Sequence, residues 1–220
     1  MRLELLLSCL LIAEIHFSTS LATPADLQKV IDTKGPFDTI RDALKKAEII
    51  DGIVDDFVPK CFVTLFYEKK TKAYPVVLGN ALKPSKTQDS PSLKIYCPDL
   101  ESTSGLTIIL TDPDAPSRDN PKWSEMCHWI GITEGYTSNA TLSKVSKEVV
   151  KYKAPGPPAK TDYHRYVFLL LEGDNSNLTA PEDRQHWGFG KKDHGVRDWA
   201  KQEGLEVIGA NFFYAKNKKQ

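Results

Sequence analysis

Asp112 and Asp114 stand two residues apart in TDPDAPSRDN, framed by Pro113 and Pro116, directly after the apolar run GLTIIL. A residue before proline is pushed toward extended backbone, and in extended backbone residues i and i+2 point the same way. On that reading the two carboxylates share a face, and their repulsion raises one pKa unless a donor stands between them. The competing reading is an Asx-type turn, in which one carboxylate accepts from backbone N–H groups. His128 heads a second apolar run in EMCHWIGIT, and His164 and Tyr166 alternate at the head of a third, YHRYVFLLLEG. Their i, i+2 spacing points both side chains to one face. A carboxylate beside a histidine holds its tautomer and favours its protonated form. A protonated histidine pair with backbone donors suits a phosphate-like anion, with Pro157, Pro158 and Tyr166 as apolar walls. The plainer alternative makes His128 a hydrogen-bonded strand residue and His164 a polar cap on a core Tyr166.

Hydrolytic chemistry lacks a nucleophile here. Ser117 has neither a nucleophile elbow nor a glycine-framed oxyanion hole around it. Cys127 adjoins His128, but neighbouring strand residues face opposite ways and do not form a dyad. No CxxC and no zinc-type spacing occurs, so the sequence predicts no metal, no cofactor and no catalytic residue.

The elements that must position these residues are mostly strands. CFVTLFYEKK, YPVVLGNAL, SLKIYC, GLTIILT, CHWIGITEG and YHRYVFLLLEG are short β-rich runs bounded by Pro, Gly and Asn, and VIGANFFYA closes the series. Residues 23–50 read as helical, with Phe37, Ile40, Leu44 and Ala47 on one stripe. RDWAKQEGLE gives a second, late helix with Trp199 packed and Gly204 as its cap. The pattern predicts an all-β sandwich or large curled sheet with a few short helices.

Among 220 residues the formal net charge is zero and 26% are charged, which suits a globular domain and gives no reason to expect nucleic acid as a partner. Residues 1–22 combine Arg2, a leucine-rich core and the small residues Ser20 and Ala22, the pattern of a signal peptide cleaved after Ala22. Residues 23–220 then form a single domain without a membrane-spanning segment. Sequons at Asn139 and Asn177 agree with a secreted or vacuolar destination. Cleavage removes Cys9 and leaves Cys61, Cys97 and Cys127, so that Cys61 and Cys97, both in strand-like text, are the candidate disulfide.

DPDAPSR, HW and GPP followed by HRYVFLL, in that order, resemble the phosphatidylethanolamine-binding protein family. ALKKAEIIDGIVDDFVP looks most like its fungal carboxypeptidase Y inhibitor branch. The resemblance implies a large central antiparallel sheet flanked by a smaller one, and a small anion pocket at one end. Carried over motif by motif, that pocket takes Asp112, Pro116, His128, Gly156, Pro158, His164 and Tyr166, while Asp114, Arg118 and Arg165 look structural. The implied function is non-enzymatic binding of a phosphorylated small molecule or phospholipid head group. The alternative is inhibition of a serine carboxypeptidase, in which the branch engages its N-terminal region as well as the pocket surface. Three departures stand out. Met126 replaces an aromatic residue common beside the pocket. Lys160 and Asp162 occupy a loop that is usually glycine-rich. FFYAKNKKQ leaves no room for the overhanging C-terminal helix of the mammalian type, which predicts a more open pocket.

Overall fold

The computed structural model describes residues 35–100, 102–103, 105–137 and 144–219. In chain order the strands are β1 (Phe62–Lys69), β2 (Lys72–Val76), β3 (Asn80–Ala81), β4 (Ser92–Tyr96), β5 (Ser102–Thr103), β6 (Thr107–Asp112), β7 (Met126–Thr133), β8 (Tyr136–Thr137), β9 (Val145–Val150), β10 (His164–Glu172) and β11 (Glu206–Ala215). The helices are α1 (Pro36–Lys46) and α2 (Val196–Gln202). The expected signal peptide, the helical reading of 23–34 and the Asn139 sequon lie outside the described residues.

Six strands form the central sheet in the order β3-β11-β10-β6-β7-β9, and β2-β1-β4 form a smaller one. Every pairing in the central sheet is antiparallel except β3 with β11. The burial of β10 explains why it sits near the middle. Residues His164 to Leu171 are all buried, as an apolar run must be when both its faces are covered. On one face Ile109, Val167, Leu169 and Phe212 pack under Leu44 of α1 and Trp199 of α2. On the other, Ile108, Leu110, Phe168 and Leu170 meet Leu65, Leu93 and Ile95 of the smaller sheet. β1 buries only alternate residues, since its outer face meets water.

Two strand expectations change in detail. YPVVLGNAL is not one strand, because the chain reverses between β2 and β3 with left-handed Leu78 and Gly79 at φ 32° and 102°. β9 was not anticipated; its Lys147 and Glu148 are exposed on an edge strand, which erases the apolar alternation that signals a strand. Cys61 and Cys97 are joined in a disulfide at the ends of neighbouring β1 and β4, with Cα atoms 4.2 Å apart. Cys127 is a free, buried thiol.

Candidate binding site

The register of the central sheet sets the ends of β10, β6 and β7 side by side, with Val167 opposite Thr111 and Asp112 opposite Met126. Asp112, His128, His164 and Tyr166 thereby meet at one end of the sheet. They are 3%, 3%, 1% and 1% exposed respectively, so these four side chains are covered, whereas Gly156 and Pro158 are exposed.

Asp112 is the hub. Its Oδ2 accepts from His164 Nδ1 at 2.9 Å, and its Oδ1 accepts the backbone N–H of Asp114 at 2.9 Å. The second bond is an Asx turn, and it overturns the shared-face reading of the two carboxylates. A strand that ends at Asp112 and turns sends the next carboxylate elsewhere. Asp114 instead accepts from Arg165, at 2.6 Å from Nη2 and 2.7 Å from the backbone N–H. Arg165 Nη1 also donates to the carbonyls of Ala47 and Glu48, at 2.9 and 3.0 Å. Arg118 lies outside this clamp and reaches the exposed Glu48 carboxylate at 2.9 Å.

His128 donates from Nδ1 to the carbonyl of Lys153 at 2.7 Å, which leaves Nε2 as the lone-pair nitrogen. That Nε2 is buried and has no hydrogen-bond partner. Burial lowers the His128 pKa, against a weaker opposing pull from Asp112. The ring is therefore neutral at pH 7, and the expected protonated histidine pair is corrected: desolvation outweighs the nearby carboxylate. Burial, reinforced by Asp112, raises the Tyr166 pKa well above the usual phenol range, while an N–H from Gly156 opposes it. The Tyr166 ring stacks on Phe213 at 5.3 Å and takes His128 edge-on at 5.3 Å.

The second wall is the segment from Gly156 to Tyr163. Gly156 is exposed, and a Cβ there would meet only the Ala154 carbonyl at 3.9 Å, so its role lies in its N–H rather than its small size. Pro158 is exposed and accepts the Thr161 hydroxyl at 2.9 Å; Thr161 Oγ1 also lies 2.9 Å from His164 Nε2. Lys160 and Asp162 adopt left-handed φ of 63° and 54°. The segment thus makes its turns without glycine, which is strained for a lysine. The C-terminal tail lies against it, with Lys160 N–H donating to Lys219 O at 3.1 Å and Asn217 Nδ2 donating to Pro157 O at 3.0 Å. Pro116 lies half-buried in the β6–β7 loop after a cis peptide bond, and Met126 is half-buried at the start of β7. Asn177 is exposed.

Sequence reasoning missed Thr161, Lys153 and Glu125. Thr161 carries a visible signal, a hydroxyl three residues before His164. Lys153 acts through its carbonyl, which no side chain announces. Glu125 is fully buried, and its carboxylate accepts from Thr111 Oγ1 at 2.8 Å and from the backbone of Gly195 and Val196 at 3.0 Å each. Burial pushes its pKa up to about 7, against those hydrogen bonds.

The model of the phosphatidylethanolamine-binding protein family matches residues 72–213. The chain belongs to that family. Carboxypeptidase Y inhibitor of Saccharomyces cerevisiae is 32% identical over 213 residues, covering 80% of this chain and 94% of the inhibitor. A crystal structure of carboxypeptidase Y inhibitor complexed with the cognate proteinase superposes with a TM-score of 0.73 at 30% identity, over 87% of this chain and 100% of that one. The phosphatidylethanolamine-binding protein from Plasmodium vivax, at 21% identity and a TM-score of 0.63 over 80% of this chain and 97% of its own, shares the fold. Among the described residues, no helix is long and apolar enough to cross a membrane.

Proposed function

We propose that this chain binds and inhibits a serine carboxypeptidase and turns over no substrate of its own. One observation carries the reading: the likeness to the yeast inhibitor runs over 94% of that protein rather than over the family motifs alone. The site chemistry supports it. Cys127 packs with Ile109 and Val167 on the face opposite His128, and burial pushes its thiol up to about 12, far from a working nucleophile. Ser117 Oγ accepts the Asn120 N–H at 3.2 Å and belongs to its own turn. The Cys61–Cys97 disulfide suits the oxidising route that the signal peptide and sequons predict, and a secreted or vacuolar destination would place the chain with such a peptidase.

The test is a titration of the purified full chain, made in a host with a secretory pathway, into yeast carboxypeptidase Y hydrolysing a blocked dipeptide. Loss of activity at near-equal stoichiometry is expected. Full activity at a large excess would overturn the proposal.

A second reading has its own support. The buried His128 Nε2 beside Tyr166 is an acceptor without a partner, to which the P–OH of a phosphate monoanion on a head group would donate. Because all four side chains are buried, such a ligand needs the Gly156–Tyr163 segment to shift. Calorimetric titration of phosphoethanolamine should give heat with the wild-type chain and none with His128→Ala or His164→Ala. Equal heats from all three would remove the site from consideration.

A further inference from the structure

The zero net charge of the chain hides a local imbalance. A groove of about 840 Å³ lies between Ala81–Ser85 on one side and Tyr163 with the C-terminal Lys216–Lys219 on the other. Four of its ten lining residues are lysines, and no carboxylate lines it. Lys216 is partly compensated, lying 3.8 Å from Asp162 and over the Tyr163 ring at 4.4 Å. Among the described residues, the ammonium groups of Lys83, Lys218 and Lys219 have no carboxylate within ion-pair distance, and all three residues are exposed. Between them the floor is apolar, made by Ala81, Leu82, Pro84 and the ring of Tyr163, which remains 37% exposed.

We infer that this groove docks an extended acidic peptide segment of a partner protein, one that alternates carboxylates with a bulky apolar side chain. Three observations favour a peptide over a single anionic head group. The cations come from two separate chain segments on the two sides of the groove, Lys83 on one and Lys216, Lys218 and Lys219 on the other, which suits charges spaced along a bound chain. The groove runs beside β3, which among the described strands pairs with β11 alone and so stands at the edge of the described central sheet, a place where an added strand finds backbone partners. An apolar floor between cationic rims takes one anchoring side chain while the rims select for acid. The size is within the range of ligand pockets, roughly 300–1,000 Å³. A neighbouring hollow of about 540 Å³ shares Ala81 and Tyr163 but carries both signs, with Arg118, Asp119 and Asp162, so the acidic preference belongs to the first groove alone.

The probe is a fluorescein-labelled hexapeptide alternating glutamate with phenylalanine, titrated with the full chain and followed by anisotropy. Its glutamine counterpart and vesicles of phosphatidylserine in phosphatidylcholine are run beside it. The glutamate peptide should bind, the glutamine peptide should bind at least about tenfold more weakly, and added salt should weaken the first selectively. The triple variant K83E/K218E/K219E should lose the interaction, and K83R/K218R/K219R should keep it. These lysines are exposed, and an unchanged circular dichroism melt shows that the variants fold. Equal binding of both peptides, or binding that survives charge reversal, overturns the inference. So does a chain that ignores the peptide and pellets with the anionic vesicles through the same lysines, since the patch would then serve a membrane surface.

Discussion

The two walls of the site are held in opposite ways. The β6–β7 wall is bolted from inside: the Asx turn at Asp112, the Asp114–Arg165 pair and the Glu125 carboxylate are all buried, and each makes more than one hydrogen bond. The Gly156–Tyr163 wall is exposed for most of its length, strained at Lys160 and Asp162, and tied down by a tail that is itself partly exposed. One wall fixes where the hub Asp112 points. The other has few buried anchors, so it is the wall that can move at modest cost. A site closed by one rigid and one adjustable wall can be fully buried at rest and still admit a ligand.

The sharpest way to break this contrast is to unbolt the rigid wall. Asp114→Ala strips a buried guanidinium of its carboxylate, a change that costs about 3–5 kcal/mol. Urea denaturation should show the drop in midpoint, and the same change made jointly with Arg165→Met should recover part of it. A loss within 1 kcal/mol of zero, on the order of a surface substitution, would mean that the wall is not fixed by this pair.

Glu125 tests the same wall through pH. Its pKa is near 7 in the folded chain against an ordinary 4.5, so the folded state holds the extra proton between those values. A group raised on folding contributes stability that is full below the unfolded pKa and is lost as pH rises through the folded one. The chain should therefore lose about 3 kcal/mol of stability between pH 4.5 and 7 from this group. Glu125→Gln keeps an acceptor for Gly195 and Val196 and removes this titration, so the stability difference between wild type and variant should change by about 3 kcal/mol over that window, while the lowered pKa of His128 acts in the opposite direction in both chains. A difference between the two chains that stays constant with pH, or that moves in wild type's favour as pH rises, would contradict the buried-acid account.

How much of this was legible in the sequence differs between the walls for a physical reason. Strands β6, β7 and β10 and helix α2 show in the text because their burial demands apolar runs, and the polar residues at their ends stand out against that background. The direction of Asp114 did not show, because Arg165 lies 51 residues away and only the register brings it close. The neutral state of His128 did not show either, since desolvation depends on everything packed around the ring. The tail was hardest to read: Asn217 and Lys219 carry no pattern, and their contacts to Pro157 and Lys160 are set by where β11 ends. Departures such as Lys160 and Asp162 marked the unusual loop without revealing what holds it.

The smallest expected effect concerns that tail. Asn217 Nδ2 donates to Pro157 O, and its Oδ1 accepts the Lys219 N–H at 3.0 Å, so one side chain both grips the wall and shapes the tail that grips Lys160. Asn217→Ala should cost no more than about 1 kcal/mol globally, because the lost bonds are partly exposed and water replaces them. Locally the consequence is larger relative to what is there. Hydrogen exchange at the Lys160 amide should quicken by about fivefold, the equivalent of one such bond, while the amides of Asp114 and Arg165 keep their protection. Head-group affinity should rise if the tail holds the wall shut, because less work is then needed to open it. Equal exchange at Lys160 in both chains would show that the wall is held by its own turns, with Thr161 as the remaining latch on His164.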